Sequence, residues 1–232
     1  MHFKLKPKES KALYRKHNTS KNRENALKFF RKHKNSFDKA HREYGVHSSV
    51  ILSILQVETF CGGYTGKKRV FHRLARLSSA ADVDNIKANL KEKQKKDPSV
   101  HYRDVYDRAQ WLENEFLPHA LATLELAKNN KKHPLEIKGS GAGAIGLYQF
   151  LPGNVFKYGI DGNYDNEVDP FHPEDAIPSV ANYLASFGWD SSANLGSKNH
   201  SETIWNYNRS DSYIETVLAM AKKLAPQLKN IN

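Results

Sequence analysis

The sequence predicts a mainly α-helical fold, and three stretches carry that prediction. Ile51, Ile54 and Leu55 stand seven, four and three residues before Glu58. That spacing puts all four on one face of a 3.6-residue helix. From Asn25 to Tyr44 the apolar positions Leu27, Phe30, Phe37, Ala40 and Tyr44 fall on one face, with lysines and arginines opposite, which is the pattern of an amphipathic helix. Arg108 to Asn129 repeats it with Trp111, Leu112, Phe116, Leu121, Leu124 and Leu126.

In chain order, residues 1–20 are polar and expected to be poorly anchored. Gly45 stops the Asn25–Tyr44 helix, and Ser48 or Ser49 offers an N-cap for the next. Gly62 and Gly63 are its stop signal. After Gly66-Lys67-Lys68-Arg69, Val70, Leu74 and Leu77 give another helical pattern. Residues 80–106 are charged and weakly periodic, and 80–105 reads as an exposed insertion, helical in part. Pro118 predicts a kink or break in the Arg108–Asn129 helix. In the stretch from Pro173 to Phe187, Pro178 suits only a first turn, so the regular helix is expected to begin there. Asn194 to Ser201 reads as a polar loop. Ser210 is placed to cap a last helix carrying Tyr213, Val217, Leu218, Ala221 and Leu224. No linker divides the chain, so the expected layout is a basic arm at 1–24 and one domain at 25–232.

Composition limits the function classes. A chain of 232 residues with 39% hydrophobic and 11% aromatic content can bury a real core. No apolar run is long enough to span a membrane. The first residues have no apolar stretch of the kind a signal peptide needs, so none is expected. Cys61 is the only cysteine, which excludes an internal disulfide and suits a small buried residue. Residues 1–44 carry fourteen Lys and Arg against four acids, +10 of the net +11. The basicity therefore reads as an N-terminal feature, either a solvated face or an arm for an anionic partner. No zinc-finger spacing or RNA-binding motif is present, so nucleic acid is not expected.

Three stretches could carry chemistry. Glu58 continues an apolar stripe towards the negative end of its helix. Burial and the dipole both disfavour its ionised form, and a carboxylic acid protonated near neutral pH can act as a general acid. The alternative is a buried glutamate paired with a lysine or arginine. Residues Gly139 to Pro152 hold four glycines in the first eight positions, without the Gly-Lys-Ser/Thr ending of a phosphate loop. This is either a tight connection or the floor of a cleft, with Gln149 aimed at a polar ligand. In Asp161 to Asp169, Asp161, Asn163 and Asp165 match positions one, three and five of a calcium loop. Position six is Asn166 rather than Gly, and position twelve is His172 rather than Glu, although Asp175 could supply the missing carboxylate. Metal-free turns of this composition are also common.

Taken together, Val57-Glu58-Thr59, Gly143-Ala144-Ile145-Gly146-Leu147-Tyr148-Gln149-Phe150-Leu151-Pro152, Asp175 to Leu184 and Tyr207-Asn208-Arg209-Ser210-Asp211-Ser212-Tyr213 resemble the lytic murein transglycosylases. The nearest resemblance is to the family of membrane-bound lytic transglycosylase B, over roughly residues 28–225. The resemblance implies a lysozyme-like, mainly helical fold with a glycan-binding cleft and a small irregular metal-binding loop region. It implies a monomer acting on peptidoglycan glycan strands in the periplasm or cell envelope, cleaving the β-1,4 bond between N-acetylmuramic acid and N-acetylglucosamine. The new end is a 1,6-anhydromuramyl group, and no cofactor takes part in the chemistry.

Glu58 matches the family's catalytic acid. Gln149, Tyr207, Asn208 and Tyr213 match substrate-binding residues, with Tyr148 beside Gln149, and Arg108 resembles a shifted version of an Arg that lines the cleft. Asp161, Asn163, Asp165, the Glu167 carbonyl and Asp175 fall on a structural loop for Ca2+ or Na+. The chain departs from the family in the length of 80–105, in Pro178 where a small residue is usual, and in lacking a lipid-attachment cysteine. One acid suffices if the sugar's own C6 hydroxyl is the nucleophile. A hydrolysing lysozyme would need a second carboxylate, for which Glu113, Glu115 and Asp211 are available. A non-catalytic peptidoglycan-binding scaffold is the third reading.

Overall fold

A computed structural model describes Phe3, Lys4, Tyr14 and residues 16–231. Among these residues there are ten α-helices, and the only sheet has two strands of two residues each. The helices are α1 (Ser20–Lys32), α2 (Lys34–Tyr44), α3 (Ser48–Thr59), α4 (Val70–Ser78), α5 (Val83–Gln94), α6 (Tyr102–Asn129), α7 (Pro152–Tyr158), α8 (Pro173–Ser186), α9 (Lys198–Tyr207) and α10 (Asp211–Lys229). Strand β1 (Lys68–Arg69) pairs antiparallel with β2 (Lys138–Gly139), Lys68 opposite Gly139. No helix among the described residues is long and apolar enough to cross a membrane.

Two compact units form. One holds residues 1–8, 66–144 and 151–153, and the other holds residues 9–65, 145–150 and 154–232.

The first unit is built on α4, α5 and α6. Leu77, Ala80, Ile86, Val100, Val105, Ala109 and Leu112 form its core, and Phe3 packs into it. Residues 80–105 are therefore no surface appendage: α5 contributes Ile86, and the Phe3 N–H donates to buried Asn89 Oδ1 at 3.0 Å. The start of the chain is anchored rather than loose at Phe3. The rest of the arm expected at 1–24 lies largely outside the described residues up to Lys16. Helix α6 runs unbroken for 28 residues through Pro118. Asn114 and Pro118 are both exposed, so water can satisfy the carbonyl that loses its partner.

The second unit surrounds α3, whose buried residues include Ile51, Leu52, Ile54 and Leu55, all 0% exposed. The single helix expected at 25–44 is broken at His33 (φ −119°, ψ 24°). A continuous helix would separate positions 30 and 37 by about 10 Å along its axis. The break brings the Phe30 and Phe37 rings to 5.0 Å. Gly45 ends α2 in the left-handed region, φ 69°. Neither Ser48 nor Ser49 caps α3: His47 holds the cap position without a side-chain bond, and the Ser48 hydroxyl turns to the Phe37 carbonyl.

Two further expectations shift by a few residues. Helix α9 begins within the stretch read as a polar loop, with Ser197 as its cap. Helix α8 starts at Pro173 and continues through Pro178. Pro178 cannot donate to the Glu174 carbonyl, and Gly162 sits directly over that oxygen, close enough that a Cβ on Gly162 would lie 1.9 Å from it. Ser210 caps α10 as expected, its Oγ accepting the Tyr213 N–H at 3.1 Å.

Candidate active site

Glu58 lies in the last turn of α3, half-buried, one helical face below Ile51, Ile54 and Leu55. The helix stops one residue later, at Thr59, and Phe60 and Cys61 take left-handed backbone (φ 55° each) ahead of Gly62. The turn that exposes Glu58 is thus made before the glycines are reached. Burial pushes the Glu58 carboxyl up from its ordinary 4.5 to about 7, and the Tyr213 hydroxyl works in the opposite direction.

Thr59 fixes what stands beside Glu58. Its hydroxyl donates to the Leu147 carbonyl at 2.8 Å and accepts the Gly62 N–H at 3.0 Å. That bond holds the turn Ile145–Phe150 against the end of α3. Within the turn, the Ile145 N–H donates to Phe150 O at 2.8 Å. Gly146, at φ 75°, approaches the Pro170 carbonyl so closely that a Cβ would lie 2.2 Å from the oxygen. Gln149 adopts φ 52°, uncommon for a residue with a side chain. Its Nε2 donates to Gly146 O at 2.8 Å and to Thr65 O at 3.2 Å. With both N–H groups committed, the amide presents its oxygen as the remaining acceptor.

Tyr207, at the end of α9, donates its hydroxyl to the Tyr148 carbonyl at 2.6 Å. It belongs to an aromatic group with Phe150, Tyr158 and Tyr183, whose neighbouring rings are 4.8–5.6 Å apart. The Tyr213 ring stacks beside Tyr207 at 6.4 Å, and Tyr14 meets it edge-on at 5.4 Å. Burial, and then the charge of Glu58, raise both the Tyr207 and the Tyr213 hydroxyl well above the ordinary tyrosine value. Both therefore stay protonated; Tyr207 spends its one O–H on the Tyr148 carbonyl, so of the two only Tyr213 has an O–H left to turn to Glu58. The Tyr213 hydroxyl has no hydrogen-bond partner of ordinary geometry among the described residues. We read its effect on Glu58 as an electrostatic contact rather than a formed bond. Asn208, half-buried, caps α9, and its own N–H donates to Ile204 O.

The acidic loop closes on its own backbone. Asp161 accepts the N–H groups of Asp165 and Asn166, Asn163 accepts that of Asp165, and Asp165 accepts that of Glu167, at 2.8–3.2 Å. Asn166 takes the left-handed conformation that position six requires, φ 70°. Asp175 is 0% exposed and accepts the Gly162 and Asp169 N–H groups at 3.0 and 2.8 Å. Burial raises its carboxyl, against those two bonds. Among the described residues no three Asp, Glu, His or Cys side chains converge as a metal cage. The donor types and the turn suit a hard cation, but a cage of three acids is not formed.

The sequence profile of the transglycosylase SLT domain family matches residues 3–200. The chain belongs to that family. It is 30% identical over 171 residues to membrane-bound lytic murein transglycosylase B of Escherichia coli (strain K12), covering 74% of this chain and 40% of that protein. The chain thus spans well under half the length of that relative. Its fold is similar to the lytic transglycosylase SLT35 of Escherichia coli in complex with bulgecin A, with a TM-score of 0.75 at 23% identity over 94% of this chain and 78% of the other. SLT35 has also been solved in complex with calcium. SltB3 of Pseudomonas aeruginosa, in complex with NAG-anhNAM-pentapeptide, gives a TM-score of 0.71 at 17% identity, covering 93% and 67%. These likenesses establish a mainly helical chain with the fold of the family's lytic transglycosylases.

Set against the resemblance read from the sequence, the structure brings Glu58, Gln149, Tyr207, Asn208 and Tyr213 into one unit of this family member. Three of the residues named there have the following surroundings. Tyr148 is 0% exposed; its carbonyl accepts the Tyr207 hydroxyl and its ring lies 4.3 Å from Phe150. Tyr213 is likewise fully buried. Arg108 belongs to the first unit, where it donates to the Lys4 carbonyl at 3.2 Å and lies 4.2 Å over the Trp111 ring. Sequence reasoning passed over Thr59 and Phe150, although both stand inside the quoted motifs; their roles are long-range bonds and packing that spacing does not display.

Proposed function

We propose that the protein is a peptidoglycan lytic transglycosylase that cuts the β-1,4 bond between N-acetylmuramic acid and N-acetylglucosamine and leaves a 1,6-anhydromuramyl end. The observation that carries this reading is the Glu58 carboxyl at the end of α3, raised to about 7 by burial beside the Tyr213 hydroxyl. Near neutral pH a large fraction of Glu58 holds its proton. It donates that proton to the glycosidic oxygen as the C1–O bond breaks and positive charge gathers at C1. The carboxylate so formed is stabilised by the Tyr213 hydroxyl and takes the proton of the C6 hydroxyl. The C6 oxygen then bonds to C1. One group thus serves as acid and then as base, and the intramolecular nucleophile needs no activated water. Gln149, through its free carbonyl oxygen, and Asn208 hold the sugar so that this closure outruns water.

Digestion of purified peptidoglycan followed by mass spectrometry tests the reading. Muramyl ends lighter by one water than hydrolysed ends are expected to dominate. Mostly reducing ends would instead move the protein to the hydrolysing lysozymes, which require a carboxylate pair.

We also propose that the acidic loop takes up calcium through Asp161, Asn163, Asp165, the Glu167 carbonyl and Asp175. A carboxylate has about four lone-pair sites, so Asp175 can keep its two amide bonds and still face a cation. The ion would serve the fold and take no part in the chemistry. Calcium is expected to raise the melting temperature and a chelator to lower it, with the difference lost in Asp165→Ala. Identical melting of the unmodified protein with and without calcium would remove the site from the proposal.

A further inference from the structure

We propose that the first unit carries a separate binding site for a doubly charged phosphate group. A cavity of about 350 Å³ is lined by Lys68, Arg69, His72, Arg73, Arg76 and Gly141, a volume within the range of small-ligand sites. No acid lines it, and none occurs anywhere from Thr59 to Ala81. The whole-chain charge count placed the basicity at the N-terminus; here it is concentrated a second time.

The cluster follows from local geometry. Arg69, His72, Arg73 and Arg76 are spaced three and four residues apart at the start and along α4, so one helical face presents all of them. Like charges at that spacing destabilise a helix, and none of the four Lys and Arg residues is ion-paired among the described residues. The Arg73 Nε–H is buried with no acceptor, although buried donors are normally satisfied. Packing alone therefore leaves the cluster unexplained. The pairing of Lys68 with Gly139 brings the glycine turn alongside, and around Gly141 there is open space with no atom within 4 Å of where a Cβ would stand. The cavity mouth stays clear for a ligand.

The chemistry selects the ligand. Guanidinium forks bind phosphate or carboxylate oxygens in pairs. Four permanent cations with an imidazole around one small cavity call for more than a single negative charge, and a phosphate monoester carries about −1.5 to −2 near neutral pH. All the lining residues belong to the unit that does not hold Glu58.

The test is a titration of the 15N-labelled full chain with inorganic phosphate, with chloride at matched ionic strength as control. Saturable amide shifts are expected at residues 68–76 and 139–144. In Arg73→Gln/Arg76→Gln the apparent Kd should rise at least about tenfold, with an unchanged or higher melting temperature because repulsion is relieved. If that pair fails to fold, Lys68→Gln/Arg76→Gln, both at exposed positions, reads the same loss. The source of the phosphate is read by sedimentation with phosphatidic acid vesicles. Pelleting competed by free phosphate assigns a lipid headgroup, and phosphate binding without pelleting assigns a soluble ester. Shifts that chloride reproduces, no saturation, or an unchanged Kd in a folded variant would overturn the proposal.

Discussion

Replacing Glu58 with glutamine is expected to lower peptidoglycan cleavage by at least about a hundredfold, the usual scale of general acid catalysis, while the protein stays folded. The substitution keeps the shape of a half-buried side chain and removes its proton. The pH behaviour separates this from simple damage to the fold. The folded-state value of Glu58 is raised, from 4.5 to about 7, so the folded protein holds a proton that the unfolded chain has released. Stability attached to this group is complete below about 4.5 and is lost as pH rises through about 7. The loss is roughly 1–3 kcal/mol after allowing for partial exposure. Glu58→Gln removes it, so the variant should unfold at higher urea than the parent at pH 8 and at about the same urea at pH 4.5. The parent's cleavage should fall as pH rises past 7, as its acid is lost. A folded variant with near-normal turnover would end the assignment of Glu58.

Gly146→Ala should have the largest effect on stability. The backbone is left-handed there (φ 75°), and the added methyl would stand 2.2 Å from the Pro170 carbonyl oxygen and 2.4 Å from Pro170 Cβ. Left-handed strain of about 1–2 kcal/mol and overpacking of about 1–3 kcal/mol both apply, so a loss of about 2–5 kcal/mol is expected in urea unfolding. The Pro170 carbonyl also accepts the Leu147 N–H at 2.8 Å. Any shift there moves the turn that carries Gln149, so cleavage should drop even where the variant is folded. Gly141→Ala is the control, because its Cβ would meet nothing within 4 Å and its unfolding midpoint should hardly move. Equal midpoints for the two variants would show that the close approach at Pro170 relaxes without cost.

Much of this was legible in the residues themselves. The spacing of Ile51, Ile54 and Leu55 ahead of Glu58 placed a carboxylate on a buried face. Ser210 was readable as a cap, Gly45 as a stop, and Asn166 as a residue able to turn left-handed. These are local matters, decided within one or two helical turns. Errors arose where a local signal met a packing demand. The helix expected at 25–44 breaks at His33 so that Phe30 and Phe37 can meet. Pro118 and Pro178 lie inside continuous helices: each removes a single backbone donor, which the rest of the helix outweighs.

The sequence by itself determined a helical chain with one half-buried glutamate at a helix end and an acidic turn. Only the tertiary structure decided what surrounds that glutamate. Tyr213 and Tyr207 come from the far end of the chain, Thr59 reaches across to Leu147, and Gly139 pairs with Lys68 beside a cluster of cations. Periodicity and propensity report which face of an element is apolar. Which distant segment covers that face is set by the fit of side chains and the need to satisfy buried polar groups, and those conditions exist only once the chain has folded.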